Sequence, residues 1–170
     1  MDDEPQVIAY VALGANLGQP EHQVRAAMDA MEPWSRRPLR RSSLWRTAPV
    51  KCPPGSPDFI NAVAALVPRP GDTPQVWIGL LQQLERLLGR QPRQVINEAR
   101  PLDLDLIAWG GETIHTPSLV VPHPRAHLRR FVLGPLSELA PDFVLPGQTR
   151  TVIELLQALP EGEPAASNTS

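Results

Sequence analysis

Two aspartates one residue apart, Asp103 and Asp105, stand in the run Arg100-Pro101-Leu102-Asp103-Leu104-Asp105-Leu106. In an extended strand alternate side chains share a face. The three leucines therefore point into a core while both carboxylates project from the other side, with Cα atoms about 7 Å apart. Aspartate is a poor strand former, and like charges on one face repel. A divalent cation between them turns that repulsion into attraction, and Mg2+ in particular is held by one or two carboxylates, with phosphates and water as further ligands. The alternative is a solvated strand face with two incidental acids. Arg90 and Arg100 bracket the loop just before this strand. Guanidinium groups beside an acidic pair suit a polyphosphate that is charge-matched on both sides; either one alone is equally an ordinary surface arginine. His123, in Val121-Pro122-His123-Pro124-Arg125, lies in a proline-stiffened loop, where it either contacts a phosphate or is satisfied by backbone.

A nucleotide here has to be held without the usual glycine-rich cradles. The phosphate-binding pattern Gly-x-x-x-x-Gly-Lys-Ser/Thr is absent, and Lys51, the only lysine, sits in a proline-rich stretch. Gly14-Ala15-Asn16-Leu17-Gly18 follows an apolar run and precedes a helical one, but its spacing is not that of the dinucleotide fingerprint.

The elements that must position these groups follow from periodicity. A strand is expected over Val7–Leu13, stopped by Gly14, and a helix over Pro20–Met31 with Val24, Ala27, Met28 and Met31 on one face. Leu39–Arg46 reads as a second strand, Thr47–Asp58 as a long surface loop and Phe59–Val67 as a buried strand. A second helix is expected from Thr73 as N-cap to Gly89 as C-cap, with Val76, Leu80, Leu84, Leu87 and Leu88 inward. The acidic strand, Leu102–Trp109, is expected to turn at Gly110-Gly111 into a hairpin with Glu112–His115. Helices near Arg130–Leu139 and Thr151–Leu159 complete the chain. The order β-α-β-β-α-β with C-terminal additions predicts a ferredoxin-like α/β sandwich, an antiparallel sheet covered by helices.

The 170 residues suit a single domain, expected over 1–160, with a small polar tail at 161–170 that frays. A net charge of −2 argues against a nucleic-acid backbone as the main partner. Cys52 is the only cysteine, which excludes an internal disulfide and a cysteine-based zinc cluster. No apolar run approaches a membrane span, and the acidic Met1-Asp2-Asp3-Glu4 start is unlike a secretory leader. A cytoplasmic protein, with no membrane partner, is expected.

Taken in order, Val11-Ala12-Leu13-Gly14-Ala15-Asn16-Leu17-Gly18, Arg46-Thr47-Ala48-Pro49-Val50, Pro57-Asp58-Phe59-Ile60-Asn61-Ala62, the Asp103–Asp105 run, Val121-Pro122-His123-Pro124-Arg125 and Arg129-Arg130-Phe131-Val132-Leu133 resemble the signatures of one family. That family is 6-hydroxymethyl-7,8-dihydropterin pyrophosphokinase of folate biosynthesis, and the resemblance runs from about Val7 to Leu156. It implies a ferredoxin-like fold, ATP as co-substrate, two Mg2+ ions on Asp103 and Asp105, and phosphate contacts from Arg90, Arg100, His123 and Arg129. It further implies a pterin ring between Phe59 and Phe131, its edge read by Asn61 and by loop positions Thr47 and Val50, with Gln82 and Glu85 near the nucleotide. Phenylalanine suits stacking on a flat heteroaromatic ring, and asparagine offers a donor and an acceptor together; by pattern alone both phenylalanines read as core.

The chain departs from the family pattern at Ile96-Asn97-Glu98-Ala99, where many relatives carry an arginine-tryptophan pair, and at Pro124, where some carry an aromatic residue. These changes bear on loop closure and product release. The expected enzyme is a monomer acting on small molecules. Its rivals are a non-catalytic ligand- or RNA-binding module and a metal-dependent nucleotidyl transferase, which would release pyrophosphate where a pyrophosphokinase releases AMP.

Overall fold

The structure is a computed structural model and describes residues 7–48, 57–89, 102–160 and the backbone of 167–169. Strand β1 covers Ala9–Ala15, two residues later than the β-former run alone suggests. Helix α1, Pro20–Met31, begins with proline in its first turn and buries Val24, Ala27, Met28 and Met31 as expected. The expected strand over Leu39–Arg46 is split into β2, Arg40–Arg41, and β3, Leu44–Thr47. Ser42 explains the break. It donates its amide to the Val63 carbonyl and accepts the Val63 amide on its own hydroxyl, so one extra residue is accommodated opposite β4, Phe59–Leu66.

Helix α2, Pro74–Leu88, has the caps read from sequence: the Thr73 hydroxyl accepts the Val76 amide, and the Gly89 amide donates to the Glu85 carbonyl. Of the residues expected inward, Leu84 is buried and Leu80 and Leu88 pack against the core, whereas Val76 and Leu87 are exposed; Pro74, Trp77 and Leu81 are buried in addition. Trp77 decides the rotation, because it packs edge-on against both Trp34 and Trp109.

Strand β5, Asp103–Trp109, is followed by a turn at Gly110, which has φ +53°, but the expected hairpin with Glu112–His115 does not form. Instead β6, Ile114–Thr116, pairs with β7, Leu119–Val121, and Leu119 and Val121 join the core beneath β5. Helix α3, Arg130–Leu139, and helix α4, Val152–Ala158, match their expected positions, the latter with a Thr151–Glu154 capping box. Within the C-terminal segment, β8, Ser167–Thr169, lies antiparallel to β3.

The sheet order is β5-β1-β4-β3-β8, with β2 also on β4. Counting β2 and β3 as one interrupted strand, the four main strands run fourth, first, third, second with antiparallel neighbours, the ferredoxin-like arrangement. One sheet face buries α1 and α2 in a core containing Leu13, Ile60, Leu104 and Leu106; the other buries Val63 and Ala65 with Val132, Leu133 and Leu136 of α3. No helix among the described residues is long and apolar enough to cross a membrane.

Candidate active site

The register of four strands sets the floor of the site. Gly14 of β1 pairs with Asn61 on one side and Asp103 on the other, and Asn61 pairs in turn with Trp45 of β3. Paired residues project from the same face, so Trp45, Asn61, Gly14 and Asp103 form a row on the face that α3 covers further along. A Cβ at Gly14 would stand 3.0 Å from Oδ1 of Asn61. The missing side chain leaves an open floor between Asn61 and Asp103, two strand spacings or about 9.5 Å apart.

Asp103 and Asp105 do share a face, with Leu104 and Leu106 buried on the opposite one. Asp103 is exposed and Asp105 half-buried. β5 is the edge of the sheet, and Oε2 of Glu85 accepts the Leu104 amide at 2.9 Å, which fixes the backbone between the two aspartates. Gly89 brings the end of α2 against Leu102, since a Cβ there would meet the Leu102 side chain at 3.2 Å. The described residues contain no group of three or more His, Cys, Asp or Glu arranged for an ion. A lone carboxylate pair fits a hard cation that draws its other ligands from phosphate and water, as Mg2+ does, and not a protein-caged zinc.

At the other end of the floor, Asn61 is buried and donates through Nδ2 to the Thr47 hydroxyl at 2.9 Å. Thr47 pairs with Phe59, which is half-buried on the same face. Phe131, in the first turn of α3, is 38% exposed, an unusual position for a phenylalanine reserved for packing. The Arg129 guanidinium lies over its ring, 5.4 Å from the centroid.

His123 lies just beyond β7. Its amide donates to the Ile107 carbonyl, and its Nδ1 accepts the Arg125 amide at 3.2 Å, so in the neutral ring the proton is on Nε2. Burial, followed by the positive charge of Arg129, lowers its pKa below the usual histidine value; Asp103 opposes and Arg125 reinforces that shift. His123, Asp103 and Arg129 are therefore within electrostatic reach of one another. Gln82 is exposed on α2, one turn before Glu85. Val50, Arg90 and Arg100 lie outside the described residues, as do Ile96–Ala99.

Three features were not legible as site components. Gly14 has no chemistry of its own, and only the strand register reveals its place. Asn16 is buried with Oδ1 unpartnered just beyond β1, a costly state that sequence does not disclose. The contact of Trp45 with α3 joins residues 93 apart in sequence.

Comparison with known proteins shows the family. Residues 10–141 match the family model described as 7,8-dihydro-6-hydroxymethylpterin-pyrophosphokinase (HPPK). The chain is 36% identical over 154 residues to the 2-amino-4-hydroxy-6-hydroxymethyldihydropteridine pyrophosphokinase of Haemophilus influenzae, covering 89% of this chain and 92% of that one. It is 42% identical over 158 residues to the protein of the same name from Pseudomonas aeruginosa, covering 89% and 91%. Among solved structures, an HPPK-DHPS in complex with substrates superposes with a TM-score of 0.71 at 10% identity, over 91% of this chain. The chain spans 43% of that longer protein, and the likeness shows the fold. The family model and the relatives define a diphosphotransferase, an enzyme with pyrophosphokinase activity in folate biosynthesis. The chain belongs to the 7,8-dihydro-6-hydroxymethylpterin pyrophosphokinase family.

Proposed function

We propose that this chain transfers the pyrophosphoryl group of ATP to the hydroxymethyl oxygen of 6-hydroxymethyl-7,8-dihydropterin and releases AMP. The observation that carries this reading is one sheet face with an acidic pair at one end and Asn61, Thr47 and Phe59 at the other, joined across Gly14. In the reaction the alcohol oxygen bonds to the β-phosphorus, the bridging bond to the α-phosphate breaks, and the hydroxyl proton is lost.

Asn61 presents Oδ1 to the ring edge because Nδ2 is committed to Thr47, and Val50 reads the same edge from its loop. Phe59 and Phe131 flank the ring plane. Asp103 and Asp105 would hold two Mg2+ ions, which would supply neutralisation of the phosphate charge. Glu85 holds β5 so that both carboxylates keep their spacing, and Gln82 lies beside the nucleotide. His123 donates from Nε2 to a phosphate oxygen, while Arg129, Arg90 and Arg100 match its negative charge. No side chain is needed as an obligatory base: catalysis rests on positioning and charge. The setting is the cytoplasm, with residues 1–160 acting as one monomeric domain on small-molecule substrates.

The test is product identity. With ATP, Mg2+ and the dihydropterin, AMP should accumulate; ADP would indicate a simple kinase, and inorganic pyrophosphate a nucleotidyl transferase.

A further inference from the structure

Helix α3 and strand β3 run antiparallel and meet in rungs. Glu138 accepts both the amide and the hydroxyl of Ser43, at 2.9 and 2.7 Å, and also the indole Nε1 of Trp45. One turn earlier on the helix, the Trp45 ring lies directly on Gly134, where a Cβ would come within 2.6 Å of it. Phe131, Gly134 and Glu138 are spaced i, i+3, i+7 and so share one face of α3. On the strand, Ser43 and Trp45 face α3, and Thr47 follows at the same alternation. Continued by one step, the same spacing points Phe131 toward the end of β3 that carries Thr47, the partner of Asn61.

From this we infer that Trp45, Gly134 and Glu138 form a positioning clamp that sets how far Phe131, which flanks the ring plane, stands from the Thr47–Asn61 pair at the ring edge. None of the three needs to touch the substrate. The indole is a spacer of fixed thickness, Gly134 lets the helix backbone rest on it, and the Glu138 carboxylate stops the ring from rotating. Glu138 is exposed, and its carboxylate holds the Trp45 indole and Ser43 by charge-assisted hydrogen bonds that fix their orientation. The inference rests on the proposed ring site, because it assigns a function to the distance between that site's walls.

Sign reversal between two substitutions tests it. Binding of 6-hydroxymethylpterin and of α,β-methylene-ATP with Mg2+ is measured by calorimetry, with circular dichroism and melting recorded for each variant. Gly134→Ala should push α3 away from the indole and weaken pterin binding about fivefold or more, with nucleotide binding changed less than twofold. Trp45→Phe alone should weaken pterin binding two- to threefold, because the Glu138 bond is lost. Placed in the Gly134→Ala background, the same change should instead strengthen it, because the smaller ring makes room for the added methyl. Glu138→Ala, at an exposed position, gives the same selective loss and serves if Gly134→Ala does not fold.

Equal losses for pterin and nucleotide, or no reversal in the double variant, would overturn the clamp. Should Glu138→Ala be the variant in use, unchanged pterin binding overturns it as well. Phe131→Ala separates this from the ring site itself. If Phe131→Ala weakens pterin binding while the clamp variants do not, the clamp alone fails; if Phe131→Ala has no effect, the ring site fails.

Discussion

Asn61 donates from Nδ2 to the hydroxyl of Thr47 at 2.9 Å, tying the interior of β4 to the last residue of β3. Asn61 is buried, so its amide orientation is set by this bond and by the floor that Gly14 leaves open. Thr47→Val keeps the side-chain volume and removes the acceptor. A buried donor without a partner costs about 1–3 kcal/mol, so the denaturation midpoint should fall accordingly. Pterin affinity should fall as well, since Oδ1 is no longer held toward the ring. Unchanged stability and affinity together would mean the bond orders nothing.

The acidic pair predicts the opposite balance. Asp103→Asn and Asp105→Asn should each remove most turnover while leaving pterin affinity nearly intact. Relief of like-charge repulsion on one strand face should leave the stability of the unliganded protein equal or slightly higher. Steady-state kinetics with melting curves separate these effects. Normal turnover in Asp103→Asn would remove the metal assignment.

His123 makes the unliganded protein sensitive to mild acid. Its folded pKa lies below the ordinary value of 6.5, chiefly through burial and then through Arg129. Around and below pH 6.5 the unfolded chain therefore binds more protons than the folded one, and stability falls as pH drops through that window. Above pH 6.5 both states carry a neutral ring and the effect vanishes. Urea melts from pH 5 to 8 should show this slope, and His123→Gln should flatten it.

Phe59 and Phe131 distinguish ring stacking from ordinary packing. Replacement by Ala should weaken pterin binding by about 1–3 kcal/mol at either position. Phe131 is already 38% exposed, so its loss should lower the melting temperature less than loss of half-buried Phe59. Affinity and melting measured on the same two variants suffice. A large melting shift with unchanged affinity would return both residues to the core.

Much of this architecture is written locally. α1 carries its burial pattern in four residues at helical spacing, α2 its ends in Thr73 and Gly89, and β5 its two faces in the alternation of leucine and aspartate. What local pattern does not carry is the choice between competing apolar stripes. On α2 the expected stripe, Val76, Leu80, Leu84, Leu87 and Leu88, overlaps one centred on Trp77 and Leu81, and the contacts of Trp77 with Trp34 and Trp109 turn the helix so that Leu80, Leu84 and Leu88 stay inward while Val76 and Leu87 face out. Gly110-Gly111 has hairpin chemistry, yet burial of Leu119 and Val121 under β5 diverts the pairing to β6 and β7. The candidate site divides in the same way. Side chains with evident chemistry, such as Asp103, Asp105, His123 and Asn61, are visible in sequence. Gly14 and Trp45 act through register and long-range contact, and only the folded chain shows them.

On the proposed reaction this face moves a two-phosphate unit intact. The direct measurement uses ATP labelled in its γ-phosphate, with Mg2+ and 6-hydroxymethyl-7,8-dihydropterin, and follows the label and the nucleotide together. Label in the pterin product and AMP in one-to-one ratio, with both lost in Asp103→Asn, is the expected result. Label appearing as inorganic phosphate or pyrophosphate, with the pterin unlabelled, would contradict it.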